Sequence, residues 1–240
     1  MMHIRLAASF LLAIPVVATL FAQAAVAEPG RIIILRHGEK QDAYRLCDIG
    51  VQRSLALTTR YLGRGAENLI YGPRGTPDAF FAITLHTLEL IAPSAASWRM
   101  PVIMSSVLPR AKQDAAEFTH MLNLRTQEAA TEVMKNWNGK TVVMAWEHRH
   151  IADEKLVLAF PRLKVTLRQL FNLDNLGSVP KTWPGDNYDY FWIIDYDSGR
   201  LTNFQMLKQT FAARYQNVPS NDWDTPAALP KDCEGSKDPM

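Results

Sequence analysis

Short apolar runs alternate with longer amphipathic segments along most of this chain. Apolar runs rich in β-branched residues are typical of strands buried on both faces of a parallel sheet. Such runs lie at residues 32–35, 79–83, 101–104 and 141–145. Segments with helical spacing of apolar residues lie at 48–62, 87–91, 112–122, 126–137 and 151–160. We expect Pro93 to end the second of these helices. Strands alternating with helices predict an α/β fold, a three-layer sandwich around a mostly parallel sheet.

The last third of the chain has a different pattern. Residues 188–196 and 200–207 flank Asp197-Ser198-Gly199, which predicts a late antiparallel hairpin at the edge of the sheet. From about residue 218 the chain holds four prolines, which predict an irregular tail. We therefore expect residues 28–240 to form a single domain.

The first 27 residues predict a secretory signal peptide. A short basic start precedes an apolar stretch at residues 6–22, and Ala25-Val26-Ala27 is a small-x-small cleavage site before Glu28. A membrane anchor is the alternative, but the stretch is short for a membrane span. We expect an exported protein, periplasmic or secreted, with no membrane contact after cleavage.

Charge and cysteine content narrow the possible partners. The 26 Lys and Arg residues nearly balance 24 Asp and Glu residues, which gives no reason to expect binding to nucleic acid or to a membrane surface. Cys47 and Cys233 are the only cysteines, too few and too distant for a cysteine metal site. In an oxidising compartment they form either a disulfide or two unpaired thiols.

Residues with phosphoryl-transfer chemistry follow the first predicted strand. Arg36-His37-Gly38 lies where open α/β sheets bind ligands, beyond the carboxyl ends of the strands. Arg offers a charged fork for phosphate oxygens, a neutral imidazole can attack phosphorus, and Gly lets the backbone turn beneath the bound group. A second histidine, His148, follows the strand at 141–145.

The chain resembles the histidine phosphatase superfamily, also called phosphoglycerate-mutase-like. The resemblance covers about residues 31–207 and rests on ILRHGEK and on WEHRHI, which is similar to a form found in exported bacterial members. It implies a metal-independent phosphomonoesterase without cofactors, in which His37 becomes phosphorylated and Arg36 and His148 stabilise the transferred charge. The implied partner is a small phosphorylated substrate. Its identity and the oligomeric state stay open.

One position departs from the family pattern. The family carries a second Arg before a helix with Thr and Pro, and the matching stretch here places His86 at that position. We expect His86 to bind phosphate with a pH-dependent affinity. Alternatively the register differs and Arg99 or Arg110 supplies the cation. Arg53 is a further predicted phosphate ligand.

The proton donor for the leaving oxygen is also open in the family. We predict Glu147, beside His148, provided that the strand ends before it. Glu39 and Glu89 are the alternatives. The sequence leaves undecided whether the following side chains reach the pocket: Arg45, His150, Trp98, Trp183, Tyr188 and Tyr190.

Two other functions compete with the phosphatase. A catalytically weak or inactive phosphate-binding protein would explain the missing second Arg. A metal-dependent hydrolase would use His37, His86, His148 and a carboxylate as ligands. The charge of Arg36 beside His37 argues against a bound cation.

Overall fold

The computed structural model describes residues 28–110 and 114–233, so the predicted signal peptide at 1–27 lies outside the described part. A single sheet contains six strands in the order β3-β2-β4-β1-β5-β6. The strands are β1 (Arg31–Arg36), β2 (Ala79–Ala82), β3 (Val102–Met104), β4 (Thr141–Trp146), β5 (Tyr190–Asp197) and β6 (Arg200–Lys208). The first four are parallel to one another, and β5 and β6 form an antiparallel hairpin beside β1.

Helices cover both faces of the sheet. They are α1 (Asp48–Leu57), α2 (Leu85–Ser97), α3 (Ala115–Asn136), α4 (His148–Ile151), α5 (Glu154–Ala159) and α6 (Leu167–Leu170). Alternate residues of β1 enter different cores: Ile32 and Ile34 pack on one face, and Ile33 and Leu35 on the other. Burial on both sides explains the uninterrupted apolar run. The predicted three-layer α/β sandwich with its late hairpin is confirmed.

The prediction that Pro93 ends a helix is wrong. Pro93 lies inside α2, which continues to Ser97. A proline cannot donate to the carbonyl four residues before it, here that of Glu89. The Ser54 hydroxyl of α1 lies 3.2 Å from the Glu89 carbonyl and 2.7 Å from that of Leu90. Packing against a neighbouring hydroxyl therefore supplies a partner that the sequence pattern of α2 does not contain.

Two other helix predictions need correction. The segments at 112–122 and 126–137 form one continuous helix, α3, whose described part begins at Ala115. The segment at 151–160 is divided between α4 and α5, because Asp153 caps a new helix by accepting a hydrogen bond from Leu156 N at 2.9 Å. The predicted helix at 48–62 is observed, with π-helical geometry in its last part, Thr58–Leu62.

A disulfide joins Cys47 to Cys233 across 186 residues of sequence. Cys47 precedes α1, and Cys233 ends the described part of the irregular tail. The tail also bonds to the loop before β5, where Asn187 Nδ2 donates to the carbonyls of Asp222 and Trp223. Of the two states that the sequence leaves open for the cysteines, the structure has the bridge. No helix in the described part is long and apolar enough to cross a membrane.

Candidate active site

The two strand-end histidines meet because their strands are neighbours. β1 and β4 pair in parallel with Arg36 opposite Trp146, so both strands end at the same edge of the sheet. The His37 amide continues the ladder by donating to the Trp146 carbonyl at 2.9 Å. His37 Nε2 then lies 3.2 Å from His148 Nδ1. Residues 111 positions apart thus face one point.

The contacts of His37 define its tautomer. Nδ1 lies 2.8 Å from the Gly38 carbonyl, which only accepts, so Nδ1 carries the hydrogen and Nε2 the lone pair. Burial, followed by the charges of Arg36 and Lys40, holds the pKa of His37 well below its usual value. A Cβ at position 38 would lie 3.1 Å from Leu90 Cδ1, so glycine permits this close packing. His37 is therefore a neutral imidazole with its nucleophilic nitrogen oriented.

Backbone carbonyls hold one end of the Arg36 guanidinium, and the other end faces His37. Its Nη1 donates to the carbonyls of Pro184 and Gly185 at 2.9 Å and of Asn187 at 3.0 Å. The guanidinium carbon lies 4.0 Å from the centre of the Tyr188 ring, a cation–π contact. The loop before β5 therefore fixes the orientation of Arg36, and Nη2 is the edge of the guanidinium that faces the histidines.

Donors converge on the His37 lone pair. Arg36 Nη2 lies 2.9 Å from His37 Nε2 and 3.4 Å from His148 Nδ1. Burial and the Arg36 charge hold the pKa of His148 well below its usual value, so His148 is neutral in the free protein. A phosphoryl group attached to Nε2 would lie beside both side chains, and each of them could donate a hydrogen bond to its oxygens.

Glu147 forms the next part of the site because β4 ends at Trp146. Ala82 of β2 pairs with Ala145 of β4, so the residues after each strand leave the sheet side by side. Glu147 Oε1 lies 2.9 Å from the Thr84 hydroxyl and 2.5 Å from His86 Nε2. The second oxygen, Oε2, lies 3.6 Å from His37 Nε2. The carboxylate is thus buried beside the nucleophile.

His86 is in the site, but its contacts do not match the predicted phosphate ligand. Nε2 faces Glu147, and Nδ1 lies 3.2 Å from the Ala43 carbonyl. Both ring nitrogens are therefore used within the protein. The imidazole centre lies 5.2 Å from that of His37, so His86 acts on the site through a neighbour. His86 therefore pairs with the Glu147 carboxylate, in place of the predicted contact with phosphate.

Lys40 is a cation of the site that the sequence analysis missed. Its Nζ lies 4.0 Å from Glu147 Oε2, and its charge lowers the pKa values of His37 and His148. The signal was present, because Lys40 is the last residue of ILRHGEK and follows the nucleophile by three positions. A lysine on a predicted loop has no periodicity that would single it out.

Arg53, which the sequence analysis predicts as a phosphate ligand, is directed at buried carboxylates rather than at His37. Nε and Nη2 donate to Glu39 at 2.7–3.1 Å, and Nη2 also lies 2.8 Å from Asp189 Oδ1. Nη1 lies 2.8 Å from Gln209 Oε1. The Arg53 guanidinium carbon lies 5.9 Å from the centre of the Tyr188 ring that Arg36 also contacts. Arg53 is a buried structural cation.

The alternative acids and cations have other partners or positions in the fold. Glu39 is the partner of Arg53, and Glu89 accepts a hydrogen bond from Leu46 N at 2.7 Å. Arg45 is exposed and pairs with Asp42. Arg99 occupies a turn between α2 and β3 at the opposite edge of the sheet. Arg110 follows β3 at the same edge as His37 and is exposed.

His150 and most of the aromatic residues pack inside the protein, whereas Tyr188 reaches the site, with its ring centre 5.8 Å from that of His37. His150 Nε2 donates to Asn123 Oδ1 at 3.0 Å on α3, and burial lowers the pKa of His150 to about 4. Trp183 packs against Trp192 in the core. The remaining aromatic side chains also have protein partners: Trp98 contacts Tyr71, Tyr190 contacts Trp223, and Tyr188 stacks on Arg36.

The spacing of three side chains resembles that of metal ligands. One ligand atom each from His37, Glu147 and His148 lies within 4.8 Å of the others. However, Arg36 Nη2 already lies against the His37 lone pair, and Lys40 faces the carboxylate. A divalent cation would be bound among these positive charges, so the cluster suits an anion better.

No protein-family model and no curated protein matches the chain. Solved structures similar to it include a mycobacterial hydrolase (14% identity, TM-score 0.40, covering 78% of this chain and 95% of that one). Others are the product of open reading frame Rv3214 of Mycobacterium tuberculosis (13%, 0.38, 75% and 97%) and a mycobacterial glucosyl-3-phosphoglycerate phosphatase (14%, 0.36, 76% and 99%). At these identities and TM-scores the similarity carries no argument about chemistry, and the functional argument rests on the site.

Proposed function

We propose that this protein is a metal-independent phosphomonoesterase of the histidine phosphatase type. The observation that carries the proposal is the His37 lone pair, fixed by the Gly38 carbonyl and surrounded by Arg36 and His148. A positioned neutral imidazole flanked by cationic and neutral donors supplies what phosphoryl transfer requires, which is alignment and charge stabilisation.

The reaction has two steps. In the first, His37 Nε2 forms a bond to phosphorus while the bond to the leaving oxygen breaks and its electron pair departs with that oxygen. In the second, water attacks the phosphohistidine, and the N–P electron pair returns to Nε2. Arg36, Lys40 and the N–H of a neutral His148 stabilise the phosphoryl oxygens. Glu147, ionised and 3.6 Å from His37 Nε2, accepts the proton of the attacking water.

The test is trapping of the intermediate. Full-length protein is incubated with 4-nitrophenyl phosphate in EDTA and then quenched in alkali, and phosphorylated peptides are mapped. We expect an acid-labile phosphate on His37 and loss of turnover in His37→Ala. The matched control is His120→Ala, which removes an exposed histidine of α3. Turnover that survives His37→Ala but not EDTA would instead support the metal-dependent hydrolase.

A phosphate-binding protein without turnover is the second candidate. It is favoured by the anchoring of Arg36 Nη1 on backbone carbonyls and by the pairing of His86 and Arg53 with carboxylates. These contacts leave fewer cations for substrate than the resemblance implies. Vanadate binding without any phosphatase activity would favour this candidate.

We also propose that the protein is exported. The disulfide between Cys47 and Cys233 supports this, because disulfides persist in oxidising compartments. Expression with the native N-terminus should yield a processed protein outside the cytoplasm that begins at Glu28. An unprocessed cytoplasmic protein with free thiols would contradict export.

A further inference from the structure

The surroundings of Glu147 stabilise its ionised form from several sides. Oε1 accepts from the Thr84 hydroxyl at 2.9 Å and lies 2.5 Å from His86 Nε2. Oε2 lies 4.0 Å from Lys40 Nζ, which is positively charged. Thr84 is the N-cap of α2, so the carboxylate also lies at the positive end of a 13-residue helix.

His86 carries the counter-charge. Its two nitrogens face acceptors, Nδ1 the Ala43 carbonyl and Nε2 the Glu147 carboxylate. Two lone pairs do not approach to 2.5 Å, so a hydrogen lies between Nε2 and Oε1. With Nδ1 also protonated, the pair is an imidazolium and a carboxylate. Lys40 and the helix terminus keep the proton on the imidazole side.

The pKa values agree with this assignment. Burial alone raises the pKa of the Glu147 carboxyl, but the positive charges of His86 and Lys40 outweigh burial and hold it well below its usual range. His148, the next residue, is neutral because burial and Arg36 lower its pKa. Neither side chain therefore holds a proton ready for a leaving oxygen before substrate binds.

We propose that neither Glu147 nor His148 serves as a general acid and that the substrates are phosphoryl compounds with weakly basic leaving groups. These are aryl phosphates, acyl phosphates and phosphoanhydrides, and simple alkyl phosphates are excluded. The proposal rests on the proposed phosphatase function and adds the substrate class. The P–O electron pair leaves on an oxygen that is stable as an anion, and bulk water protonates it afterwards.

The test is the dependence of kcat/KM on the leaving group. Three substrates of similar size are compared: 4-nitrophenyl, phenyl and benzyl phosphate. Because kcat/KM reports only the steps up to formation of the phosphohistidine, the later hydrolysis of that intermediate does not affect it. General acid catalysis contributes about 10²- to 10⁴-fold, so without it benzyl phosphate should fall at least about 10²-fold below 4-nitrophenyl phosphate. A smaller difference would overturn the proposal.

Two variants locate the cause. Glu147→Gln should leave the ratio between the three substrates unchanged, because no proton comes from Glu147 in this step. A loss confined to benzyl phosphate would identify Glu147 as an acid and overturn the proposal. His86→Gln keeps a hydrogen-bond donor but removes the charge, so Glu147 should become protonated more easily. The difference in kcat/KM between 4-nitrophenyl phosphate and benzyl phosphate should then become smaller. If His86→Gln does not fold, the Glu147→Gln comparison still decides.

The experiment separates this inference from the proposed function. If wild-type protein hydrolyses none of the three substrates, the phosphatase function itself fails. If it hydrolyses all three with similar kcat/KM, the phosphatase function stands and the inferred substrate class is wrong. If the ratio is steep in wild type but Lys40→Gln removes only the benzyl activity, Lys40 is an acid and the inference is wrong.

Discussion

Replacing Arg53 with Met should destabilise the fold without selectively weakening phosphate binding. Arg53 is 1% exposed, and its two carboxylate partners, Glu39 and Asp189, are fully buried. Removing one member of a buried ion pair costs about 3–5 kcal/mol, because the partner's charge stays buried without compensation. Asp189 keeps a hydrogen bond from Asn221 N at 2.8 Å, whereas both oxygens of Glu39 lose their Arg53 partner. We therefore expect a loss of about 4 kcal/mol.

The assay is urea unfolding at pH 7, followed by tryptophan fluorescence, with vanadate binding measured on the same samples. Domains of this kind have a free energy of unfolding of about 5–15 kcal/mol, so the variant should still fold. Combining Arg53→Met with Glu39→Gln removes the largest part of this cost, which is a buried, ionised carboxylate without a partner. The double variant should therefore recover part of the lost free energy of unfolding.

One result would refute the structural role of Arg53. If Arg53→Met retained wild-type stability within about 1 kcal/mol while vanadate binding fell tenfold or more, Arg53 would be a phosphate ligand. A stability loss that the double variant does not reduce would contradict the assigned role of Glu39 as its partner.

Three further predictions address separate features. Lys40→Gln should weaken vanadate binding about 10- to 100-fold in calorimetry, since a charged hydrogen bond contributes about 1.5–3 kcal/mol; a change below twofold would contradict its role. His150 has a lowered pKa of about 4, so the unfolded state binds its proton first and stability should fall by about 2 kcal/mol from pH 7 to pH 5 on its account. His150→Gln, which keeps a donor for Asn123, should remove that part of the loss in urea unfolding. Cys47→Ser with Cys233→Ser should lower stability by up to about 5 kcal/mol, from the entropy of a loop of 186 residues; unchanged stability would contradict this.

The sequence pattern by itself determined the layered architecture. Apolar runs such as Ile32 to Leu35 are buried on both faces, which is typical of a parallel sheet covered by helices. It also determined which edge of the sheet carries chemistry. Because parallel strands present their carboxyl ends together, residues that directly follow β1 and β4 are brought close by backbone geometry alone. His37 and His148 were predictable for this reason.

Helix ends were less predictable because contacts between elements override local preference. Pro93 ends a helix in isolation, yet α2 continues because Ser54 of another helix lies within hydrogen-bond distance of the Glu89 carbonyl, which proline leaves without an intrahelical partner. Asp153 divides a segment whose apolar spacing predicts one helix. Such effects depend on a partner that the local pattern does not contain.

Only the tertiary structure decided which charged residues pair with each other. Arg53 and His86 both carry charge suited to phosphate, but their partners are Asp189, 136 residues away, and Glu147, 61 residues away. The position of a residue on a strand or helix fixes where its Cα atom lies. It does not fix which opposite charge lies close to the end of its side chain. Burial makes that pairing decisive, because a charge removed from water needs a nearby counter-charge, and the fold alone supplies it.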